Sequence, residues 1–292
     1  MIVANLIGGL GNQMFQYACG RALSLRTGQA LQLATDQFEG YSLHNGFELQ
    51  RVFNIDAQLV DERVLKSLLG WQSNAKLRHL LGRPSMRWAN GKAWCNEPYF
   101  QYWPSINQYN GSCYLHGYWQ SEKYFADFQH IIRQDFSFNL PWDDLDSQVR
   151  DRMCEGTSAS LHIRRGDYQK GKNKHVFASV DENYYIRAVT ALREKFPDIN
   201  LFAFSDDPAW VDEVLGPKLG GVHIVHHNSG ARSAHDMRLM ASTDHHVIAN
   251  SSFSWWGAWL NPSPDKVVIS PAKWFMDGRD ISTLLPEGWL KM

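Results

Sequence analysis

The chain has 292 residues, a length that suits one large domain or two of ordinary size. Hydrophobic residues make up 44% and charged residues 20%, which indicates a globular protein and excludes an intrinsically disordered one. Lysine and arginine number 29 against 30 acidic residues, so the formal net charge is -1. This balance argues against binding of nucleic acid or an anionic membrane through overall charge, and it leaves a local basic site open.

The sequence contains no sign of export or of a membrane span. No apolar run approaches the ~18 residues that a spanning helix needs. The first residues, MIVANLIGGLGNQ, have neither a basic start nor a long apolar stretch, so we expect no signal peptide. The four cysteines are widely spaced without a C-x-x-C pair, which is typical of reduced thiols. We therefore expect a cytoplasmic protein.

The start of the chain predicts a strand, a glycine turn, a helix and a second strand. Residues 2–7 are apolar enough for a buried strand, and GGLGNQ follows at 8–13. Apolar residues at 14–25 recur at helical spacing, with Gly28 as a C-cap, and 30–34 form the next strand. A parallel sheet is implied.

Residues 36–150 have weaker patterns. The elements predicted there are a helix over 61–69, a strand over 114–119 and a helix over 123–134. A polar break follows at 141–144. We therefore divide the chain into an N-terminal domain, 1–150, and a C-terminal domain, 151–292.

Strands and helices alternate regularly in the second half, which predicts a doubly wound α/β domain. The predicted strands are 158–163, 200–204, 221–225, 246–249 and 266–269. The predicted helices run from a Ser179–Glu182 capping box to about 196, from the cap Asp207 to about 216, over 231–242 and over 251–260, with Asn250 or Ser251 as the cap of the last one.

Polar residues follow four of these strands at their carboxyl ends. The four segments are 164–167, 205–207, 226–228 and 250–254. In an open parallel sheet, ligands bind beyond the carboxyl ends of the strands. We therefore expect all four segments to face one cleft.

Two of these segments suit an anion. Arg164 and Arg165 are adjacent, and a guanidinium matches phosphate oxygens. Because side chains alternate, only one arginine needs to face the ligand, and the other can pair with Asp167 or a neighbouring carboxylate. Ser251 and Ser252 begin a helix, whose N-terminus favours phosphate, although ordinary N-capping explains them equally well.

Three other features are ambiguous or weak. Asp236, inside a helix, suits either a solvated face or a carboxylate that accepts from purine N–H groups, and spacing does not decide between them. The Gly9-x-Gly11 turn is a broken dinucleotide motif, since Met14 stands at its third glycine. Six histidines between 223 and 246 fall on separate elements, so we expect no metal site.

Four motifs together resemble the bacterial α-1,2-fucosyltransferases of glycosyltransferase family 11. They are GGLGNQMFQYA at 8–18, HIRRGDY at 162–168, FSDDP at 204–208, and the block from Asp236 to Gly257 that contains IANSSFSWWG. The second motif is shared with other fucosyltransferases and specifies the donor more than the linkage.

The resemblance implies a GT-B-type α/β fold, with two Rossmann-like domains facing a cleft. The second domain would bind GDP-fucose and the first would contact the acceptor. The implied catalytic residues are His162, Arg164 and Asp167. The implied donor-binding residues are Gly11, Asn12, Arg164, Asp206, Asp236, Ser251, Ser252 and Phe253. In this scheme Arg164 contacts the β-phosphate, Asp236 reads guanine, and Asn12 reaches over from the first domain.

The implied reaction is inverting transfer of L-fucose to the 2-hydroxyl of a terminal galactose in an oligosaccharide or a glycan repeat unit. A prepositioned arginine and a helix N-terminus would stabilise the departing GDP, so we expect no metal and no cofactor. The residues do not identify a general base. Lipid-linked acceptors would imply peripheral contact with the inner membrane face, and no nucleic-acid partner is expected.

Three alternatives remain. A fucosyltransferase of another linkage would share these motifs. A Rossmann-fold reductase is disfavoured by the broken glycine motif, and a sugar-binding module would leave the arginine pair unexplained. The first half also contains aromatic residues that suit either a sugar platform or packing under loops: Trp94, Tyr99, Tyr102, Trp103, Tyr118 and Trp119.

Overall fold

The computed structural model describes residues 1–39, 45–165 and 176–292. The chain divides into two compact units. The first contains residues 1–139 and 280–286, and the second contains residues 140–279 and 287–292. Among the described residues, no helix has the length and apolar character needed to cross a membrane.

The first unit is built on a five-stranded parallel sheet. Its strands are β1 (Ile2–Asn5), β2 (Leu31–Ala34), β3 (Gln58–Leu59), β4 (Trp94–Asn96) and β5 (Cys113–His116). Its α-helices are α1 (Leu10–Thr27), α2 (Leu49–Val52), α3 (Glu62–Leu69), α4 (Ala75–Leu81) and α5 (Gln129–Asp135). The strand order is β3-β2-β1-β5-β4.

The predicted strand–turn–helix–strand unit at the start of the chain is confirmed. β1 and β2 pair in parallel on either side of α1 in sequence. Gly28 ends α1 with φ 67°, and its N–H donates to the Ser24 carbonyl. Glycine is favoured there because the left-handed conformation carries no Cβ penalty.

The predicted helix over 123–134 is correct in its second half and wrong in its first half. The chain instead makes two 3₁₀ turns, Glu122–Tyr124 and Ala126–Phe128, before α5 begins at Gln129. The adjacent Tyr124 and Phe125 are both fully buried, and the tight turns aim both side chains inward. Tertiary packing of these two rings outweighs the local helical pattern.

The second unit is built on a six-stranded parallel sheet of order β11-β10-β9-β6-β7-β8. Its strands are β6 (Ser158–Ile163), β7 (Asn200–Ser205), β8 (His223–Val225), β9 (His245–Val247), β10 (Val268–Ser270) and β11 (Leu290–Lys291). Its α-helices are α6 (Asp144–Met153), α7 (Glu182–Lys195), α8 (Pro208–Trp210), α9 (Gly216–Leu219), α10 (Ser233–Ala241) and α11 (Ser252–Leu260), with a π-helical turn at 211–215.

Two local predictions for this unit need correction. The N-cap of α7 is Asp181, whose carboxylate accepts from the Tyr184 N–H at 3.0 Å, and not Ser179. Asp181 directly precedes the first helical residue, so the capping acceptor is in place without a capping box. The chain passes from the first compact unit to the second between residues 139 and 140, whereas the sequence suggested a division after 150. That position lies inside α6, which packs against α10.

Buried tyrosines on α7 hold the strand ends that matter for the site. The Tyr185 hydroxyl donates to the His162 carbonyl at 3.0 Å, and the Tyr184 hydroxyl lies 2.7 Å from the Ile248 carbonyl. α11 is buried nearly all round through Trp255, Trp256 and Trp259. Both features fix the positions of loops at the carboxyl edge of the sheet.

Candidate active site

Four neighbouring strands of the second sheet deliver their following segments to one edge. In the order β9-β6-β7-β8 all strands run parallel, and Ile163 is in register with Ser205, as Phe204 is with Val225. Leu161 pairs with Val247, which places the start of α11 beside the end of β6. The strands that the four polar segments follow are therefore neighbours, as predicted, and within segment 164–167 the structure describes Arg164 and Arg165 at this edge.

The two adjacent arginines have different surroundings. Arg165 is anchored, because its backbone N–H donates to the Asp206 carboxylate at 2.8 Å and its Nε lies 3.6 Å from Asp207 Oδ2. Its guanidinium also lies over the Trp210 ring, 3.9 Å from the ring centroid. As predicted, one arginine of the pair is held by a neighbouring carboxylate. Arg164 is half-buried at the strand end, between the β7 and β9 sides of the edge.

His162 lies inside the sheet and packs against Phe253 of α11. Its side chain is buried, and its ring centroid lies 5.8 Å from that of Phe253. Burial, assisted by the Arg164 charge, lowers the pKa of His162 to about 3. The imidazole is therefore neutral at physiological pH. Among the described residues, its Nδ1 has no hydrogen-bond partner.

α11 begins beside these residues with a serine cap. The Ser251 hydroxyl accepts from the Phe253 N–H at 3.3 Å, so Ser251, and not the alternative Asn250, is the N-cap. Ser252 is the first helical residue and is partly exposed. The N-terminal N–H groups and the dipole of such a helix favour an anion. This anion-favouring terminus and Arg164 lie on adjacent strand ends.

The far side of the edge holds a buried network around Asp146, a residue of α6. Its Oδ1 accepts from His227 Nε2 and Asn228 Nδ2, both at 2.9 Å, and its Oδ2 lies 2.6 Å from His235 Nδ1. Although complete burial opposes ionisation, these hydrogen bonds leave the pKa of Asp146 below its usual value. Asp146 therefore holds two histidines and an asparagine in fixed orientations.

Asp236 joins the same network through the asparagine. The Asn228 Nδ2 that reaches Asp146 also donates to Asp236 Oδ1 at 3.0 Å. Burial, together with the Asp146 charge, raises the pKa of Asp236 to about 8, although the Asn228 bond and Arg232 oppose this shift. The interpretation of Asp236 as part of a simple solvated helix face is therefore wrong. Its carboxyl is suited to pair with N–H donors of a ligand.

The sequence reasoning missed Asp146 and the part played by His235. Asp146 follows the polar break at 141–144, where acidic residues look like an ordinary helix start, and Asp143 is indeed the N-cap of α6. Asp146 and His235 come together only through the packing of α6 against α10. Within the described ranges, no cluster of His, Cys, Asp and Glu is arranged to ligate a metal ion.

The remaining predicted residues belong to the first unit or lie outside the described residues. Asn12 and Gly11 belong to the first turn of α1 in the first unit, where Asn12 Oδ1 accepts from Gln120 Nε2 at 2.7 Å. Gly8 has φ 79°, and a Cβ there would lie 2.7 Å from Asn12 Nδ2. Asp167 falls at 166–175, outside the described residues. The roles assigned to Asn12, Asp167 and Asp206 stay predictions.

Comparison with known sequences decides the family. A sequence model described as "Glycosyl transferase family 11" matches residues 83–289. The chain belongs to glycosyl transferase family 11. It is similar to an α-1,2-colitosyltransferase of Escherichia coli, with 34% identity over 100% of this chain and 99% of the relative. It is also similar to the E. coli "O-antigen biosynthesis glycosyltransferase WbnK", with 30% identity over 98% and 99% of the two chains.

More distant matches extend the family relationship. A galactoside alpha-(1,2)-fucosyltransferase 2 of Bos taurus is 25% identical over 89% of this chain and 69% of its own length. Among solved structures, the fucosyltransferase NodZ from Bradyrhizobium superposes with a TM-score of 0.54 at 13% identity, covering 89% of this chain and 93% of NodZ. The predicted GT-B-type α/β fold is confirmed. This family 11 member is therefore a fucosyltransferase-like glycosyltransferase.

Proposed function

We propose that this family 11 enzyme transfers L-fucose from GDP-fucose to the 2-hydroxyl of a terminal galactose, with inversion at the anomeric carbon. The observation that carries the donor assignment is the order of groups along one sheet edge. The serine-capped start of α11 and Arg164 lie together, and Asp236 lies on the same edge beyond Asp206. This order matches a diphosphate at one end and a purine at the other.

Arg164 and the start of α11 would act on the leaving group. As the sugar departs, negative charge develops on the β-phosphate oxygens, and a fixed guanidinium with helix N–H groups stabilises it without reorganising. Arg165 contributes indirectly, because its contacts with Asp207 and Trp210 fix the loop that carries Arg164. The neutral, buried His162 packs beneath the same loop.

Asp236 would read the base. A guanine presents a ring N–H and an exocyclic amine side by side, and one carboxylate can accept from both. Asn228 fixes the orientation of the Asp236 carboxyl, and Asp146 fixes Asn228 in turn. An adenine offers no such pair of adjacent donors, so the arrangement favours a guanosine diphosphate sugar.

The relatives support the linkage. The Escherichia coli relative is named for α-1,2 transfer of colitose, and the Bos taurus relative is named for α-(1,2) transfer of fucose to galactosides. The shared α-1,2 linkage is the basis for proposing the galactose 2-hydroxyl. The resemblance to WbnK favours an acceptor that is a glycan repeat unit.

Colitosyl transfer is the second candidate, because a colitosyltransferase is 34% identical over the whole chain. Colitose is L-fucose without its 3-hydroxyl, so the two donors share the nucleotide and differ in one group. The test is to offer GDP-fucose and GDP-colitose with a panel of β-galactosides, and to determine the product linkage by NMR. A fucosyl-α-1,2-galactoside supports the proposal, and preference for GDP-colitose or another linkage contradicts it.

A further inference from the structure

The segment from Arg63 to Asn96 has a charge composition unlike that of the whole chain. It contains seven of the 29 basic residues and none of the 30 acidic ones. The seven are Arg63, Lys66, Lys76, Arg78, Arg83, Arg87 and Lys92. Since the whole chain is nearly neutral, this segment is a local basic feature that the net charge conceals.

Five of these seven charges are exposed to solvent and form no ion pair with a described residue. Arg78 is buried and pairs with Asp36 at 2.7 Å. Among the described residues, none of the other six forms an ion pair. Five of the six are exposed and Arg87 is half-buried. The segment therefore presents an unneutralised positive surface.

The helices of this segment lie on one face of the first sheet. α3 and α4 bury Leu65, Leu69 and Leu81 in one cluster with Trp94 and Tyr114 of the sheet. The side chains on the opposite faces of these helices therefore point away from the sheet together. This arrangement places Arg63 and Lys66 of α3 and Lys76 of α4 on the outer faces of the two helices.

The same segment carries the two most exposed large apolar side chains among the described residues, and a third that is less exposed. Trp88 is 82% exposed and Trp71 is 71% exposed, and Leu80 is 39% exposed. The Gln72 side chain donates to the Ala89 carbonyl at 2.7 Å and accepts from the Gly91 N–H at 2.9 Å. Because Trp71 and Trp88 directly precede the bonded residues, they lie on neighbouring turns.

We propose that this basic tryptophan surface, formed by Trp71, Leu80, Trp88 and the five exposed cations, binds the anionic phospholipid surface of a bilayer. Anionic headgroups attract lysine and arginine within a Debye length. Indole rings settle at the headgroup level, where one side is apolar and the other is wet. A bilayer interface uses both features at once, and neither requires a pocket. The proposal holds whichever sugar and acceptor the enzyme uses.

The test is co-sedimentation of the full-length enzyme with vesicles. One set contains phosphatidylethanolamine with one third phosphatidylglycerol, and the other contains phosphatidylcholine alone. We expect binding to the anionic vesicles only, and release at about 0.5 M salt, where the Debye length falls to about 4 Å. The double variant Trp71→Ser/Trp88→Ser and the triple variant Lys66→Gln/Lys76→Gln/Lys92→Gln should each bind at least tenfold more weakly.

Matched control variants test whether vesicle binding depends on this surface or on exposed apolar and basic side chains in general. Leu145→Ser/Met276→Ser removes two other exposed apolar side chains, which are 52% and 51% exposed. Lys195→Gln/Lys273→Gln/Lys291→Gln removes three other exposed lysines. Both should bind vesicles like the wild type. Equal binding to phosphatidylcholine, no binding to anionic vesicles, equal loss in the matched variants, or tighter binding of a single-stranded oligonucleotide would overturn the proposal.

Discussion

The guanidinium carbon of Arg165 lies 3.9 Å from the centroid of the Trp210 ring, while the Asp207 carboxylate flanks the same side chain. This contact distinguishes Arg165 from Arg164, although the sequence alone gives no reason to assign the two residues different roles. Arg165 is held by Asp207 and Trp210, and Arg164 is the member of the pair that we propose to contact a diphosphate.

The first prediction contrasts these two arginines. Arg164→Ala should lower kcat by about 10²–10³, since removal of one oxyanion-type donor costs about 2.7–4 kcal/mol in barrier. Its folding should stay normal. Arg165→Ala should instead lower the free energy of unfolding by about 0.5–2 kcal/mol, through the lost ring and carboxylate contacts.

Turnover with a saturating donor and urea unfolding measure the two effects. We expect Arg165→Ala to lose less than about tenfold in kcat, because its role is indirect. Near-wild-type turnover of Arg164→Ala would refute its assignment to the departing GDP.

The second prediction is that one substitution of Asp236 raises the stability of the ligand-free enzyme and weakens GDP binding. Burial raises its pKa to about 8, above the ordinary value of about 4 in the unfolded chain. Between these values the folded protein holds more protons, so stability falls as pH rises. Asp236→Asn removes this penalty and should stabilise the ligand-free enzyme by about 1–3 kcal/mol near pH 8.

Above about pH 8, where Asp236 is ionised, the same substitution should weaken GDP binding about tenfold or more, because it removes a charged acceptor from the proposed base site. Calorimetric titration with GDP and thermal unfolding at several pH values test both effects. Asp198→Asn, at an exposed aspartate of the same unit, should change neither quantity. A variant that is destabilised and still binds GDP normally would contradict the assignment.

The third prediction concerns the Asp146 network. Asp146→Ala leaves His227, Asn228 and His235 without their shared acceptor, and loss of one partner from a buried charged network costs about 3–5 kcal/mol. Asp143→Ala, in the preceding N-cap, should cost only about 1 kcal/mol. Urea unfolding gives the free energy of unfolding of both variants. Equal losses in the two variants would contradict the assignment of Asp146 as the shared acceptor of the network.

The fourth prediction is a pH dependence of stability. Burial lowers the pKa of His246 to about 3, against about 6.5 in an unfolded chain. Between these pH values His246 is protonated in the unfolded chain and neutral in the folded protein. Stability is therefore complete above about pH 6.5 and falls by about 1.4 kcal/mol per pH unit for this histidine as the pH drops.

His246→Asn should flatten that slope between about pH 6.5 and 4, even if its absolute stability is lower. The ring nitrogens of His246 contact Ser160 Oγ at 2.9 Å and Asn261 Nδ2 at 3.0 Å, so the substitution also disturbs a buried network. The slope from urea unfolding across this pH range is the decisive quantity. Parallel curves for variant and wild type would contradict the prediction.

The regular part of the fold was predictable because strand and helix alternate with clear polar boundaries. Asp207 was correctly assigned as an N-cap, and Ser251 was one of two candidates, since each stands directly before a helix with a side-chain acceptor. The convergence of the polar segments followed from parallel strands alone. The 3₁₀ turns at 122–128 were not predictable, because they depend on where Tyr124 and Phe125 are buried.

The site was predictable only where residues follow strands. Arg164 and Arg165 looked alike in sequence, and the contacts of Arg165 with Asp207 and Trp210 are tertiary. Asp146 could not be found, because α6 joins the second sheet through contacts with a helix about 90 residues later. The position of Asp236 in a buried network likewise depends on packing that a helical pattern does not encode.

A crystal of the enzyme soaked with GDP gives the most direct test of the central claim. The account predicts hydrogen bonds from the Arg164 guanidinium and the Ser252 N–H to the diphosphate oxygens, with the guanine against the Asp236 carboxylate. A nucleotide bound away from Arg164 and the start of α11 would contradict it.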